Sequence, residues 1–178
     1  MKKILGEQRR NLLLNHLKQA TAPITGTDLA KLANVSRQVI VNDITLLKAR
    51  HEPILSTSQG YVYLAQSAET PQFERTIACL HTQADTEDEM FTIVDFGVTI
   101  KSVTVEHPVY GEITARMHVS NRHEVRDFIE KVTASNASYL SSLTGGTHLH
   151  VLCAPSEQAL DQAIEALRQK GYLIEDSL

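Results

Sequence analysis

The stretch Ser36-Arg37-Gln38-Val39-Ile40-Val41-Asn42-Asp43-Ile44 decides how the first third of the chain is read. Ser36 is a good helix N-cap, because its hydroxyl can accept an amide hydrogen that the first helical turn leaves unpaired. Val39, Ile40, Ile44 and Leu47 form an apolar stripe, with Leu46 beside it, on a helix running to about Arg50. The opposite face carries Arg37, Gln38, Asn42 and Thr45. Toward the N-terminus, Asn34-Val35 makes a short turn, and Leu29, Leu32 and Ala33 give a preceding helix its own stripe. That helix starts near Thr25 to Thr27, where Thr25 and Asp28 resemble a weak capping pair. Pro23 separates it from an amphipathic helix over Gly6 to Ala20. Toward the C-terminus, Ile54-Leu55 and Tyr61-Val62-Tyr63-Leu64 read as two short strands joined through Ser56 to Gly60.

Two short helices with a tight turn, followed by a β-hairpin, spell a winged helix-turn-helix. The two stripes lock the second and third helices at a steep angle, which projects the polar start of the third helix into a DNA major groove. Ser36, Arg37, Gln38, Asn42 and Thr45 are the candidate DNA-binding residues. Arg37 can pair with guanine edges or phosphate, and Gln38 and Asn42 can read adenine edges. Arg9, Arg10 and Lys31 are candidates for phosphate contact, and the hairpin tip at Thr57, Ser58 and Gln59 for backbone or minor groove. The competing reading is a small helical domain used for protein contacts. The segments Ile24-Thr25-Gly26-Thr27-Asp28-Leu29-Ala30 and Ser36 to Ile44, with the Gly60-Tyr61 wing return, resemble the helix-turn-helix of biotin-repressor-like bacterial regulators. Asn42 departs from that resemblance, since many relatives carry a basic residue there.

The chain has 178 residues and a formal net charge of −4. Residues 1–70 hold nine Lys and Arg against five Asp and Glu, for +4; residues 71–178 hold eight against sixteen, for −8. Six of the eight histidines lie in the second part. This asymmetry suggests a basic module that meets a polyanion and an acidic module with another task, and it excludes a uniformly basic nucleic-acid coat. Two cysteines make no disulfide framework, which fits a reducing compartment. Charges interrupt every hydrophobic stretch before membrane-spanning length, so the expectation is a soluble, cytoplasmic protein with no membrane partner. The polar stretch Ala65 to Gln72 reads as a hinge between a DNA-binding domain over residues 1–66 and a second domain over residues 73–178.

In the second part the pattern gives strand Phe73–Thr82, helix Thr86–Phe96, strands Thr99–Glu106 and Glu112–His118, helix Arg122–Ala134, strand His148–Ala154, helix Ser156–Lys170 and a short strand Tyr172–Ile174. That order is β-α-β-β-α-β with an appended α-β, a ferredoxin-like α/β sandwich, so the whole chain is of the α+β class. His148-Leu149-His150 lies in a strand, where side chains two apart share a face, and Gly145-Gly146 permits a tight approach just before it. His81 ends the first strand and Glu89 follows eight residues later on the next helix. Three histidines and a carboxylate on adjacent elements suit zinc, nickel, cobalt or iron. A strand H-x-H is also commonly a surface or hydrogen-bonded pair. Cys79, on the face of His81, is either a fourth ligand or a small core residue. His118 and His123 read as solvated or hinge residues. No nucleophile with a supporting motif and no phosphate loop appears, so the expectation is not an enzyme.

The segments Thr92-Ile93-Val94-Asp95-Phe96-Gly97, Val105-Glu106-His107-Pro108-Val109-Tyr110-Gly111-Glu112 and Leu143-Thr144-Gly145-Gly146-Thr147-His148-Leu149-His150 closely resemble the three-histidine regulatory domain of niacin-responsive repressors. The resemblance runs across essentially the whole chain. It implies a repressor of NAD-synthesis or niacin-uptake genes with nicotinic acid as co-repressor. It places the family's metal ligands on His81, Glu89, His148 and His150 and implies a nickel- or zinc-type ion. Val151 stands where relatives often have threonine. His107 falls in the third family histidine block, and His107 with Tyr110 reads either as effector pocket or subunit contact, or as a structural turn punctuated by Pro108 and Gly111. A homodimer on a palindromic operator follows from matching two-fold symmetries. Two alternatives stand beside this one: a metal-responsive regulator in which the ion itself is the signal, and an enzyme of nicotinate metabolism with a DNA-binding head.

Overall fold

The computed structural model describes residues 6–64 and 73–174. The hinge expected over Ala65 to Gln72 lies outside those residues. The chain divides into two compact units, residues 1–68 and 69–178, each with its own core.

The first unit is built from α1 (Gly6–Gln19), α2 (Gly26–Ala33), α3 (Arg37–Ala49) and the antiparallel hairpin β1 (Ile54–Thr57) and β2 (Gly60–Tyr63). Local chemistry sets the boundaries. Thr25 caps α2 by accepting the Asp28 amide, and Asn34 ends that helix in the left-handed conformation, φ 51°. Ser36 caps α3 by accepting the Val39 amide. Leu13, Leu17, Leu29, Ile40, Ile44 and Leu47 are buried together and hold the three helices. At the hairpin, the Gly60 position has φ +138°, and a Cβ there would lie 2.5 Å from the Ile24 carbonyl oxygen. Glycine is therefore what lets Tyr61 exchange hydrogen bonds with Ile24 and seat the wing on the turn before α2.

One polar pair is buried inside this apolar frame. Asp43, on the inner face of α3, is 2% exposed. Arg9 reaches it with two nitrogens, Nε to Oδ2 at 2.5 Å and a terminal nitrogen to Oδ1 at 3.2 Å. Arg10 adds a third contact at 3.3 Å and also bonds Glu7. This corrects the expectation that Arg9 and Arg10 contact phosphate. Both guanidiniums are turned inward, because a carboxylate at position 43 of the facing helix takes them. Sequence spacing put them on the polar side of α1 and could not show that the polar side meets α3.

The second unit orders β3 (Phe73–Leu80), a 3-10 turn (Gln83–Asp85), α4 (Thr86–Val94), β4 (Thr99–His107), β5 (Gly111–Val119), α5 (Arg122–Ala134), a second 3-10 turn (Leu140–Thr144), β6 (Thr147–Ala154) and α6 (Glu157–Gln169). The four strands form one antiparallel sheet in the order β3-β6-β4-β5. The α+β class and the element order are as expected. Within the sheet the first strand is at an edge and the last is inside, whereas a ferredoxin sheet has its first strand inside. The short strand expected at Tyr172–Ile174 is a single bridge, Leu173 to Cys79, on the outer side of β3. Ile77, Val103, Met117, Val119 and Leu152 turn to the face covered by α4, α5 and α6. The other face shows Thr76, Ala78, Thr104, Thr114, Leu149 and Val151, none of them fully buried. No helix among the described residues is long and apolar enough to cross a membrane.

The Arg9–Asp43 pair gives a direct test. Asp43→Ala strands the Arg9 guanidinium inside the core, and loss of one partner of a buried pair costs about 3–5 kcal/mol. Thermal unfolding of the full chain should show the first unit melting early in Asp43→Ala. The apolar replacement Arg9→Met/Asp43→Leu should recover most of the loss.

Candidate functional site

Three elements of the second unit meet around one carboxylate. β3 leads directly into His81, α4 carries Glu89 in its first turn, and β6, paired with β3 inside the sheet, turns His148 and His150 to the same face. Glu89 is 1% exposed, and the side chains of His81, His148 and His150 are almost as deeply buried. Nε2 of His81 and of His150 lie 2.9 and 3.4 Å from Glu89 Oε2, and Nε2 of His148 lies 3.3 Å from Oε1. The other nitrogen of each ring faces a main-chain carbonyl: His81 Nδ1 on Thr82 at 2.8 Å, His148 Nδ1 on Gly146 at 2.8 Å, His150 Nδ1 on Ser102 at 3.0 Å. In the neutral ring, the tautomer that satisfies these carbonyls donates from Nδ1 and leaves the Nε2 lone pair directed inward, toward a bound cation. Fixing the outer nitrogen in this way is how proteins orient metal-binding imidazoles.

Gly146 makes the crossing possible. Its φ is +101°, and a Cβ there would lie 2.2 Å from the His81 carbonyl oxygen. Only glycine lets the start of β6 come this close to the residue that leaves β3.

Burial pushes the Glu89 carboxyl up, but the charge of His150 and the close ring nitrogens of His148, His150 and His81 outweigh it and hold the group well below the usual carboxylate range. Burial pushes His81 and His150 down, but Glu89 more than reverses this and leaves both above the ordinary histidine value. His81 Nε2 and Glu89 Oε1 nonetheless have no hydrogen-bond partner of acceptable geometry, although both are buried. Orphaned polar atoms in a protein interior call for a reason. Three imidazole nitrogens and one carboxylate oxygen are a donor set that fits a divalent transition metal. Cys79, fully buried, has its sulfur within 4.8 Å of a Glu89 oxygen and a His148 ring nitrogen. Burial, then the Glu89 charge, push its thiol well up. Cys79 is thus a core residue and also a neighbour of the carboxylate.

A cleft opens beside the cluster, and its walls were not legible in the sequence. Met90 from α4, Met117 from β5, Phe128 from α5, Tyr139 just before the second 3-10 turn and Leu140 at its start line it, with Thr86 beside the histidine cluster. Phe128 packs against the core from α5, and sequence alone gives an apolar helix residue no mark that separates a cleft wall from core. Tyr139 lies in a turn that carried no periodic signal. His107 and Tyr110 do not line this cleft. They sit at the tip of the β4–β5 hairpin, where His107 Nδ1 accepts the amides of Val109 and Tyr110 and Tyr110 is 77% exposed. His118 is half-buried at a left-handed position, φ 54°, and His123 is exposed beside Asp127.

In the first unit, Ser36, Arg37, Gln38, Asn42 and Thr45 are all exposed on one side of α3. Gln38 donates to Asn42 Oδ1 at 3.3 Å, which pre-orders two side chains suited to adenine edges. Arg37 lies against the Gly26 position beside the Tyr61 ring. Lys48 reaches the wing through Ser56 at 2.7 Å, and Lys31 is exposed next to Asp28.

Comparison with known proteins agrees with both halves. A model of the HTH domain matches residues 9–62, and a model of the 3H domain matches residues 74–176. The chain is 55% identical to the transcription repressor NadR of Bacillus subtilis over 175 residues, covering 98% of this chain and 97% of that protein. It is 34% identical to the "probable transcription repressor NiaR" of Thermotoga maritima over 174 residues, covering 98% of each. These relatives are repressors, in keeping with the expectation of a regulator rather than an enzyme.

The coupling of charges around Glu89 has a measurable sign in metal-free protein. The lowered carboxyl contributes stability above the unfolded glutamate pKa, lost as pH falls through its folded value. The raised histidines contribute below the unfolded histidine pKa, and this is lost as pH rises through their folded values. Glu89→Gln removes the charge that raises them. His81 and His150 should then titrate at lower pH than in the parent, as followed by NMR of the imidazole protons. Unchanged titration would show that the carboxylate does not set their basicity.

Proposed function

Because this chain belongs to the family of transcription repressors that join a helix-turn-helix domain to a 3H domain, we propose that it represses NAD-biosynthesis or niacin-uptake genes with nicotinic acid as its co-repressor. The observation that carries this reading is the cleft, a slot walled by apolar and aromatic side chains that opens onto a cluster of inward-facing imidazoles. A pyridine carboxylate has the matching two ends. Its ring suits the aromatic wall made by Phe128 and Tyr139, which pack on each other with centroids 6.2 Å apart, and its carboxylate suits the polar end of the slot. This favours the cleft over the exposed Tyr110 as the effector's aromatic partner.

His81, Glu89, His148 and His150 would hold a divalent metal, nickel or zinc. A metal there supplies a Lewis-acidic centre and offsets the negative charge of Glu89. The residues do the rest. Main-chain carbonyls of Thr82, Gly146 and Ser102 hold the three rings in orientation, and Met90, Met117 and Leu140 keep water from the apolar end of the slot. The slot is bounded by α4, α5 and the turn before β6, so an effector that bridges them biases the unit toward one arrangement. It shifts operator affinity only to the extent that it binds that arrangement better. On the DNA side, Gln38, Asn42 and Arg37 read base edges, and Ser36 and Thr45 border them. Two copies form a homodimer on a palindromic operator.

Cys79 favours one variant of this reading. A sulfur so close to Glu89 and His148 gives the site a soft donor, as suits a regulator that responds to the metal itself.

The double substitution His148→Ala/His150→Ala should abolish metal retention, measured by elemental analysis, and the effect of nicotinic acid on operator binding, measured by fluorescence anisotropy. Weak, strongly salt-dependent DNA binding should remain. A double variant that still responds fully to nicotinic acid would sink the metal-centred reading. If metal alone switches operator affinity and nicotinic acid adds nothing, the ion is the signal.

A further inference from the structure

β5 is the outer strand on its side of the sheet, and no described strand pairs with its free edge. An open edge offers a row of unsatisfied amides and carbonyls to another strand. The regular part of this edge is short. β5 pairs with β4 without interruption from Gly111 to Arg116, and the register then shifts, with His118 in the left-handed conformation. Within that window the side chains follow a symmetric pattern. Glu112, Thr114 and Arg116 are all exposed or half-buried, lie two apart and share the sheet face that carries no helix.

We infer that the free edge of β5 is where a second copy of this chain docks, antiparallel and with the two-fold axis at Thr114. In that register Glu112 of each copy stands opposite Arg116 of the other, Ile113 opposite Ala115, and Thr114 opposite itself. The charge pattern is complementary to its own reverse, as an isologous contact requires. The opposite partner is also the one this strand lacks. Inside one copy Glu112 lies directly across from Glu106, a like-charge pair that destabilises a sheet, and Arg116 faces Ser102. None of Glu106, Glu112 and Arg116 makes an ion pair among the described residues. An arginine from a second copy would lie directly across from Glu112, on the side away from Glu106. Five residues of strand pairing are too little surface for a stable dimer alone. The hairpin tip extends the contact: Val109 and Tyr110, each 77% exposed, project past Arg116 of the other copy toward its His118 bend.

This inference rests on the homodimer of the proposed function and locates its axis. Sedimentation of the full chain is the first measurement, since a wild-type chain that stays monomeric at all concentrations overturns the homodimer and this interface together. Given a dimer, Glu112→Arg and Arg116→Glu should each weaken it about tenfold or more, because two attractive cross-strand pairs become repulsive. The exchanged variant Glu112→Arg/Arg116→Glu should restore it. Thr114→Cys should cross-link copy to copy under mild oxidation or with a short thiol-to-thiol linker, with the native Cys79 and Cys153 buried. A wild-type dimer whose single charge variants associate normally, whose exchange restores nothing, or whose Thr114→Cys variant does not cross-link places the interface elsewhere. The charges on β5 then serve only to guard an open edge, and the homodimer itself stands. Circular dichroism of each variant confirms that the fold is kept.

Discussion

Glu89 is the constraint around which the second unit is organised. A carboxylate that is 1% exposed must be surrounded by groups that want its charge, and here three imidazoles from two strands supply them. To deliver them, β3 must end at His81, β6 must run beside β3 in the sheet interior, and a glycine must sit where the two backbones nearly touch. The strand order follows the same demand. With β6 between β3 and β4, His150 can lean its outer nitrogen on the Ser102 carbonyl of β4 while His148 leans on its own turn. An interior strand has carbonyl-bearing neighbours on both sides, and an edge strand has only one.

The same logic separates what was legible in the sequence from what was not. Caps, stripes and turn residues act over three or four positions, so Ser36, Thr25 and the H-x-H spacing could be read in order along the chain. Helix limits expected from periodicity lie within one or two residues of those observed for α1, α3, α5 and α6. Nonlocal facts left no such trace. Nothing near Arg9 or Arg10 announces Asp43, which is more than thirty positions away, and a charge on a helix looks solvated until its neighbour is known. The cleft wall is another case. Phe128 and Tyr139 come together only because α5 and the turn before β6 pack on the same face of the sheet, a consequence of topology.

His107 illustrates how one motif can hold two meanings until geometry separates them. A histidine before Pro-Val-Tyr-Gly has the composition of a binding loop and of a hairpin turn. In the structure its ring nitrogen satisfies the two amides exposed by the reversal of the chain, which is work a turn needs done regardless of any ligand. His81, by contrast, spends its outer nitrogen on the main chain and turns the inner one to a buried carboxylate.

The division of α3 into two faces bears on how such a regulator can change. Its inner face, with Ile40, Asp43, Ile44 and Leu47, carries the packing and the ion pair with α1. Its outer face, with Gln38, Asn42 and Thr45, carries little of the fold's stability. Descendants of this chain can therefore accumulate substitutions on the outer face with little risk to folding. The bond between Gln38 and Asn42 couples the two positions, so a change at one alters the presentation of the other. Where these two side chains read the operator, as proposed, its preference should move in linked steps rather than one base at a time.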